Sequence, residues 1–163
     1  MTPSTTFHAK RPFARRLCMG LAALLGAAAV HAQTQQQQQT PPAEAFAPNT
    51  MLIAAVQTLQ QIDQKKGNDL YAQAPAFVQS AIKKNAFTKS LTQERDKLGT
   101  VTARQWVSIN RVVTTPTPNQ PPVACTNVRF AALNQNALAG SEQVSLCWVQ
   151  QQWRATGYVV TKP

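Results

Sequence analysis

The sequence predicts an α+β fold in which N-terminal helices pack on a four-stranded antiparallel sheet. Across residues 49–98, apolar side chains recur every three or four residues, which is the spacing of one helical face. After Gly99, apolar and polar residues alternate, which is the spacing of strands with one buried and one solvated face. Because the helices come first and the strands follow, we expect the two kinds of element to form separate layers.

The first helix is predicted from residue 49 or 50 to residue 66. Asn49 or Thr50 can cap its first turn. Lys65 and Lys66 suit its last turn, and Gly67 ends it. One face carries apolar residues at spacings of four, three and three: Leu52, Val56, Leu59 and Ile62. We expect this stripe to lie in the core.

Two further helical regions are predicted before the strands. The second covers residues 69–84, where Pro75 either interrupts the helix or occupies the first turn of a new one. The third covers residues 85–98 and stops at Gly99. Its apolar stripe, which we also assign to the core, consists of Phe87, Leu91 and Leu98.

The first strand is predicted over residues 101–113, and residues 114–122 contain too many prolines for a central strand and must form a loop. The expected buried face of the first strand is Val101, Ala103, Val107, Ile109 and Val113. The other three strands are predicted over residues 123–133, 142–151 and 153–161. Gly140 and residues 150–152 mark the expected hairpin turns.

Cys125 and Cys147 each alternate with the apolar residues of their own strand. Val128 and Phe130 share the expected core face of the first of these strands, and Val144, Leu146 and Trp148 share that of the next. Each cysteine has the opposite parity. Both thiols are therefore expected to point away from the core on adjacent strands, where a cross-strand disulfide is geometrically possible. Such a bond would close a loop of roughly 20 residues and stabilise the fold by about 3 kcal/mol. A two-cysteine metal site is the alternative, but without CxxC spacing or nearby histidine we predict the disulfide and no metal.

Residues 1–32 have the pattern of a cleavable Sec-type signal peptide. The first sixteen residues contain four basic side chains and no acid, and residues 17–30 are uncharged and mostly apolar. This run is too short to cross a bilayer comfortably, since about 20 residues are needed. Cys18 precedes the apolar run, so a lipid anchor is not expected. Cleavage after Ala32 would give a periplasmic or secreted protein without a stable membrane anchor.

Removal of this leader changes the chemistry that the chain offers. The whole sequence has a formal charge of +10 and two histidines, His8 and His31. Residues 33–163 contain twelve basic and six acidic side chains, a charge of +6, and no histidine. An imidazole base, a His-containing triad and a His-ligated metal are thereby excluded. Residues 33–48 are rich in Gln and Pro and are predicted to be a disordered tail, which leaves residues 49–163 as one domain.

The carboxylates are the remaining candidates for acid–base chemistry. They are Asp63, Asp69, Glu94, Asp96 and Glu142. The surroundings of Asp63 suggest a solvated side chain, and Glu142 at the start of a strand is expected to pair with Arg104 or Arg95 rather than to act as a catalyst. GxSxG, P-loop, GxGxxG and calcium-loop motifs are absent from the sequence. We therefore expect no enzymatic activity and no cofactor.

A binding surface is the better prediction. Arg104, Trp106 and Arg111 lie in or near the polar face of the first strand, although Trp106 could instead pack under a loop or against a sheet edge. The basic residues are scattered rather than arranged in a stripe with stacking aromatics, so nucleic-acid binding is not expected. An envelope protein, or an anionic glycan or lipid surface attracted by the positive charge, remains a possible partner.

A set of spaced motifs in residues 87–160 carries a family resemblance. An Arg precedes a Leu-Gly pair, a second Arg opens the first strand, a Glu begins a later strand, and a Trp-Arg-x-x-Gly-Tyr sequence closes the set. The residues are Arg95, Leu98, Gly99, Arg104, Glu142, Trp153, Arg154, Gly157 and Tyr158. In order and spacing they resemble the small secreted bacterial proteins of domain-of-unknown-function family 4019, over about residues 54–160. The resemblance implies a cystatin-like or cone-shaped α+β fold and no established activity.

Two hypotheses about function follow. The first is an exported, non-enzymatic binding or structural module of the bacterial envelope, which contacts its partner through the sheet surface. The alternative is a cone-shaped small-ligand-binding protein with weak hydrolase or isomerase chemistry. A closed apolar pocket that holds Glu142 or Asp63 would favour the alternative, whereas a filled sheet would favour the first hypothesis.

Overall fold

The computed structural model describes residues 42–116, 118 and 121–163. The predicted leader and most of the predicted tail lie outside these described residues. A 3₁₀ helix, Ala43–Phe46, precedes four α-helices: α1 (Pro48–Asp63), α2 (Gly67–Gln73), α3 (Ala76–Ala81) and α4 (Lys84–Asp96). The strands are β1 (Ala103–Thr114), β2 (Val123–Asn134), β3 (Ala137–Val149) and β4 (Gln152–Thr161). They form one antiparallel sheet in the order β1-β2-β3-β4, with the helices on one face, and the predicted α+β class is confirmed.

Helix α1 lies across the sheet and contacts all four strands. Its buried apolar residues are Met51, Ala55, Leu59 and Ile62. Val56, which the sequence placed in the core stripe, is 37% exposed, so the buried stripe is rotated relative to the prediction. Two overlapping stripes satisfy helical spacing here, and contact with the sheet selects the one containing Ala55, whose short side chain permits close approach.

The second predicted helical region is two short helices separated at Pro75, which immediately precedes α3. The Tyr71 hydroxyl donates hydrogen bonds to the carbonyl oxygens of Gln79 and Ile82, at 3.1 and 3.0 Å. These bonds tie α2 to α3. The predicted core stripe of the third region, α4 and the residues after it, is confirmed because its three members are all buried: Phe87, Leu91 and Leu98.

A β-bulge changes the faces of β1. Trp106 lies opposite Phe130 of β2, but the next pair is Ser108 with Arg129, so Val107 is an extra residue. Alternation is therefore interrupted, and the expectation that the odd-numbered apolar residues form a buried face is wrong at Ala103, Val107 and Val113, which are exposed. Directly opposed residues share a face. The helix-covered side of β1 carries Arg104, Trp106 and Ile109, which oppose core residues of β2, and Arg111, which lies two residues beyond Ile109.

Strand β3 begins at Ala137, five residues earlier than expected, because the first hairpin turn is Gln135–Asn136 rather than a turn at Gly140. Both turn residues have positive φ, as do the residues of the predicted second turn, Gln150 and Gln151. Glycine is required at residue 140 because neighbouring atoms leave no space for a side chain. A Cβ atom there would lie 2.7 Å from Leu98 Cδ2 and 2.8 Å from the Thr161 carbonyl oxygen.

The end of the predicted tail packs on the domain. Ala45 is buried, and its carbonyl oxygen accepts a 2.9 Å hydrogen bond from Trp153 Nε1. The rings of Phe46 and Trp153 meet edge to face with centroids 5.8 Å apart. Arg111 Nη2 donates to the Phe46 carbonyl oxygen at 2.7 Å. The residues just before α1 are therefore part of the described domain, because Trp153, distant in sequence, provides their packing partner.

Candidate functional site

The most polar cluster of the interior is built around Arg104, near the start of β1. Arg104 lies opposite Ala132 of β2, and Ala132 lies opposite Gly140 of β3. Since the Ala132 side chain is a single methyl group, it does not block the long Arg104 side chain from extending toward β3. Glu142, two residues beyond Gly140 on the same face of β3, lies within its reach.

The Arg104 guanidinium joins two carboxylates. Its Nε and Nη2 donate to Glu142 Oε2 and Oε1, at 2.5 and 3.2 Å. Its Nη1 and Nη2 donate to Asp63 Oδ2 and Oδ1, at 2.7 and 3.0 Å. Burial alone would lower the pKa of Arg104, but the hydrogen bonds to Glu142 and Asp63 outweigh it and the pKa is raised. The guanidinium therefore stays charged and holds β1, β3 and the end of α1 together.

Asp63 also receives a hydrogen bond from α4. Arg95 Nε donates to Asp63 Oδ1 at 2.6 Å, and Arg95 Nη1 donates to the Gly99 carbonyl oxygen at 2.8 Å. Burial would raise the pKa of Asp63, but the hydrogen bonds from Arg104 and Arg95 hold it below its ordinary value. Asp63 is thus an ionised acceptor that remains exposed to solvent while two arginines bind it.

Glu142 is fully buried, and hydrogen bonds occupy both of its carboxylate oxygens. The Tyr158 hydroxyl donates to Glu142 Oε1 at 2.7 Å. Burial, and then this hydrogen bond, raise the pKa of Tyr158. The expected ion pair of Glu142 is therefore with Arg104. A carboxylate so enclosed has neither solvent access nor a free oxygen with which to take a proton from a ligand.

The cluster brings five residues of the family motif together in space. Arg95, Gly99, Arg104, Glu142 and Tyr158 meet around Asp63, a residue that the motif does not contain. The other four motif residues lie elsewhere. Leu98 packs in the core, Trp153 packs on the N-terminal segment, Arg154 donates to Gln73, and Gly157 lies opposite Ser145 on β3. The sequence analysis included Asp63 among the candidate carboxylates but did not predict its pairing with Arg95 and Arg104.

The three residues predicted to bind a partner separate into two environments. The Arg104 side chain is 21% exposed and takes part in the ion-pair cluster. Trp106, by contrast, is 56% exposed and does not pack beneath a loop. Arg111 is exposed, and its guanidinium lies 5.6 Å from the centroid of the Phe46 ring. Trp106 and Arg111 therefore present an exposed apolar ring and an exposed cation on the same side of β1, although Arg111 also contacts Phe46.

The helix-covered side of the sheet is filled. Its buried residues form one continuous core with the helices, and they include Val128, Phe130, Val144 and Leu146. Two small clefts lie in the described part of the chain, of about 180 and 130 Å³. Asp63 and Arg95 line the first, four of the ten residues that line the second are glutamines, and Glu142 contributes to neither.

The opposite face of the sheet carries the disulfide. Cys125 and Cys147 lie directly opposite each other on β2 and β3, and their sulfurs are bonded at 2.02 Å. This confirms the pairing predicted from strand parity. Among the described residues, no group of three or more His, Cys, Asp or Glu side chains could hold a metal ion. Within the same residues, no helix combines the length and apolar character required to cross a membrane.

Fold and site together define an α+β domain that has helices on one face of its sheet, a disulfide on the other and a buried arginine–carboxylate cluster between the helices and strands. The chain belongs to the family described as "Protein of unknown function (DUF4019)", whose model matches residues 54–158. This span contains every residue of the cluster. Comparison with curated proteins and with solved structures gives no match to either.

Proposed function

We propose that the protein is exported and acts as a non-enzymatic binding module of the bacterial envelope. Its binding site would be the exposed part of β1, here called the β1 surface: Trp106, Val107, Arg111, Val112 and Val113. The observation that carries the proposal is the exposure of both Trp106 and Arg111 on the helix-covered side of β1, where the neighbouring strands are filled by core residues.

The chemistry of the β1 surface supports binding to a protein or peptide. Trp and Arg are the residue types most enriched among those that dominate protein interfaces. Val113, on the same side of β1 as Arg111, is 73% exposed. A large ring and several valines held in contact with water gain free energy when a partner covers them.

The distribution of charge supports an anionic partner. Asp63 and Glu142 are occupied by arginines inside the cluster, and Glu94 pairs with Lys97. Few carboxylates therefore remain unpaired in residues 33–163, whose formal net charge is +6. Such a field attracts acidic proteins, glycans or lipids before any specific contact forms.

Export is supported by the leader pattern of residues 1–32 and by the Cys125–Cys147 disulfide. Disulfides persist in oxidising compartments such as the bacterial periplasm and are rare in the cytosol. Expression of the full chain in a bacterial host, followed by mass spectrometry of the periplasmic fraction, tests this part of the proposal. We expect a species that begins at Gln33, and an uncleaved cytosolic chain would contradict export.

Binding is tested with residues 33–163 immobilised and exposed to a solubilised envelope fraction. Wild type is compared with Trp106→Ala and Arg111→Ala, and Arg129→Ala is the matched control because Arg129 is exposed on the opposite face. We expect the captured proteins to be lost with the two β1 variants and retained with the control. Identical captured proteins from all four chains would remove the β1 surface as the site.

A further inference from the structure

We infer that the free edge of β1 accepts an extended, acidic segment of a partner protein as a fifth strand. This inference rests on the proposed function and specifies how the β1 surface would bind. It comes from a difference between the two edges of the sheet, from the regular geometry of one part of β1 and from the charge of Arg111.

The edge formed by β4 is covered. The backbone N–H of Val160 donates to Glu94 Oε2 of α4 at 2.9 Å, so a helix side chain already occupies part of this edge. Arg154 of the same strand donates to Gln73 of α2 at 3.0 Å. Only three of the ten β4 residues are exposed. A further strand could not approach β4 without displacing these helices.

The edge formed by β1 is open. Within the described residues, β1 has a neighbouring strand on one side alone, and eight of its twelve residues are exposed. Every second residue of an edge strand directs an unpaired N–H and C=O outward, which is a template for another strand. Natural edges are commonly protected by proline, by charged side chains or by a bulge. From Ser108 to Thr114, β1 contains no proline, lysine, carboxylate or bulge, and Arg111 is its one charged residue.

The bulge limits the regular part of this edge. After the extra residue Val107, pairing with β2 runs without interruption from Ser108 to Thr114. These seven residues offer a straight edge long enough for a short extended peptide. Main-chain hydrogen bonds would supply affinity, and alternate side chains would supply specificity.

The side chains of residues 108–114 indicate which sequence an added strand should have. Ile109, Arg111 and Val113 lie on the same face, with the cation between two apolar residues. Within the described chain, Arg111 forms no ion pair, and its hydrogen bond and ring contact are both with Phe46. An added strand that fits would carry Asp or Glu opposite Arg111 and apolar residues two positions away on either side.

A second copy of this chain fits less well than an acidic segment. Strand β1 contains no carboxylate, so pairing of two β1 strands would leave Arg111 of each copy without an acidic partner. Two chains that each carry a formal charge of +6 also repel one another. Charge complementarity therefore favours an acidic segment from another protein.

Synthetic peptides test the inference directly. Each probe has nine residues, all threonine except for valine at the third and seventh positions and Glu, Gln or Lys at the fifth. Binding to residues 33–163 is measured by fluorescence anisotropy of the labelled peptide. We expect the Glu peptide to bind about fivefold more tightly than the Lys peptide, as one exposed ion pair allows.

Charge reversal on the protein provides the matched experiment. In Arg111→Glu the preference should invert, so that the Lys peptide binds more tightly, whereas Arg129→Glu should retain the preference for Glu. A Glu peptide N-methylated throughout should not bind, because it cannot donate main-chain hydrogen bonds. Hydrogen exchange should show new amide protection in β1 and none in β4.

Several outcomes would overturn strand addition. These are equal affinity for the Glu and Lys peptides, binding of the N-methylated peptide, protection outside β1, or no binding of any probe at about 1 mM. A concentration-dependent dimer that protects the β1 amides without peptide would assign the edge to a second copy instead. If strand addition fails while envelope capture still depends on Trp106 and Arg111, the proposed function stands and only its mode is refuted.

Discussion

Replacement of Glu142 by Gln tests whether the arginine–carboxylate cluster stabilises the fold. The substitution preserves the size of the side chain and removes its negative charge. Tyr158 can still donate to an amide oxygen, but the amide nitrogen would face the donors of Arg104. The change therefore leaves a largely buried guanidinium with one carboxylate, Asp63, where it now has two.

The expected cost follows from the burial of both partners. Removal of one member of a buried ion pair typically costs 3–5 kcal/mol, because the remaining charge is left uncompensated. Arg104 keeps its bonds to Asp63 and is 21% exposed, so we expect about 3 kcal/mol, at the lower end of that range. Arg104→Met should have a similar cost. The free-energy cost of the double variant should be about 1–3 kcal/mol smaller than the sum of the two single-variant costs.

Guanidinium-induced unfolding at pH 7, followed by tryptophan fluorescence with the disulfide intact, gives these free energies. Asp96→Asn is the control, since Asp96 is exposed and should change stability by less than about 0.5 kcal/mol. A cost below about 1 kcal/mol for Glu142→Gln, or full additivity in the double variant, would refute the reasoning.

Three further predictions concern pH, the disulfide and Gly140. Because the pKa of Asp63 is lower in the folded chain than its ordinary value of 3.8, the unfolded state binds more protons at acidic pH. The free energy of unfolding should therefore be maintained above about pH 5 and fall below it, with a shallower fall in Asp63→Asn; equal slopes in acid titrations of the two chains would contradict this. Thiol titration of denatured, non-reduced residues 33–163 should find no free thiol, and Cys125→Ala with Cys147→Ala should lower stability by about 3 kcal/mol; two free thiols would exclude the bond. Gly140→Ala should cost about 1–3 kcal/mol because the new methyl group meets backbone, while Gly157→Ala, whose Cβ would have ordinary 3.8 Å contacts, should cost much less; similar denaturation midpoints would show that Gly140 is not constrained by packing.

Much of the fold could be predicted from local patterns. The change from helical to alternating periodicity after Gly99 located both layers, and parity along the strands placed Cys125 and Cys147 on one face. These predictions succeeded because they depend on repeats of two or about four residues within a single element. The pairing of Glu142 with an arginine was also foreseen, although Arg95 was left open as its partner.

Predictions that depended on contact between distant elements succeeded less well. The burial of Ala55 instead of Val56 depends on how α1 lies on the sheet. Asp63 joins the cluster because the end of α1 comes close to both β1 and α4, which no local pattern can reveal.

By itself, the sequence determined the helical and strand segments, the α+β layering and the disulfide, since each of these follows from side-chain spacing along one element. The tertiary structure alone decided that Arg104 is a partly buried member of the ion-pair cluster whereas Trp106 and Arg111 are exposed. All three share one face of β1, but Asp63 and Glu142 bind Arg104, whereas Arg111 contacts only Phe46 among the described residues and Trp106 stays largely exposed. Which residues of a face are buried depends on what packs above it, and that is a property of the assembled layers rather than of the strand.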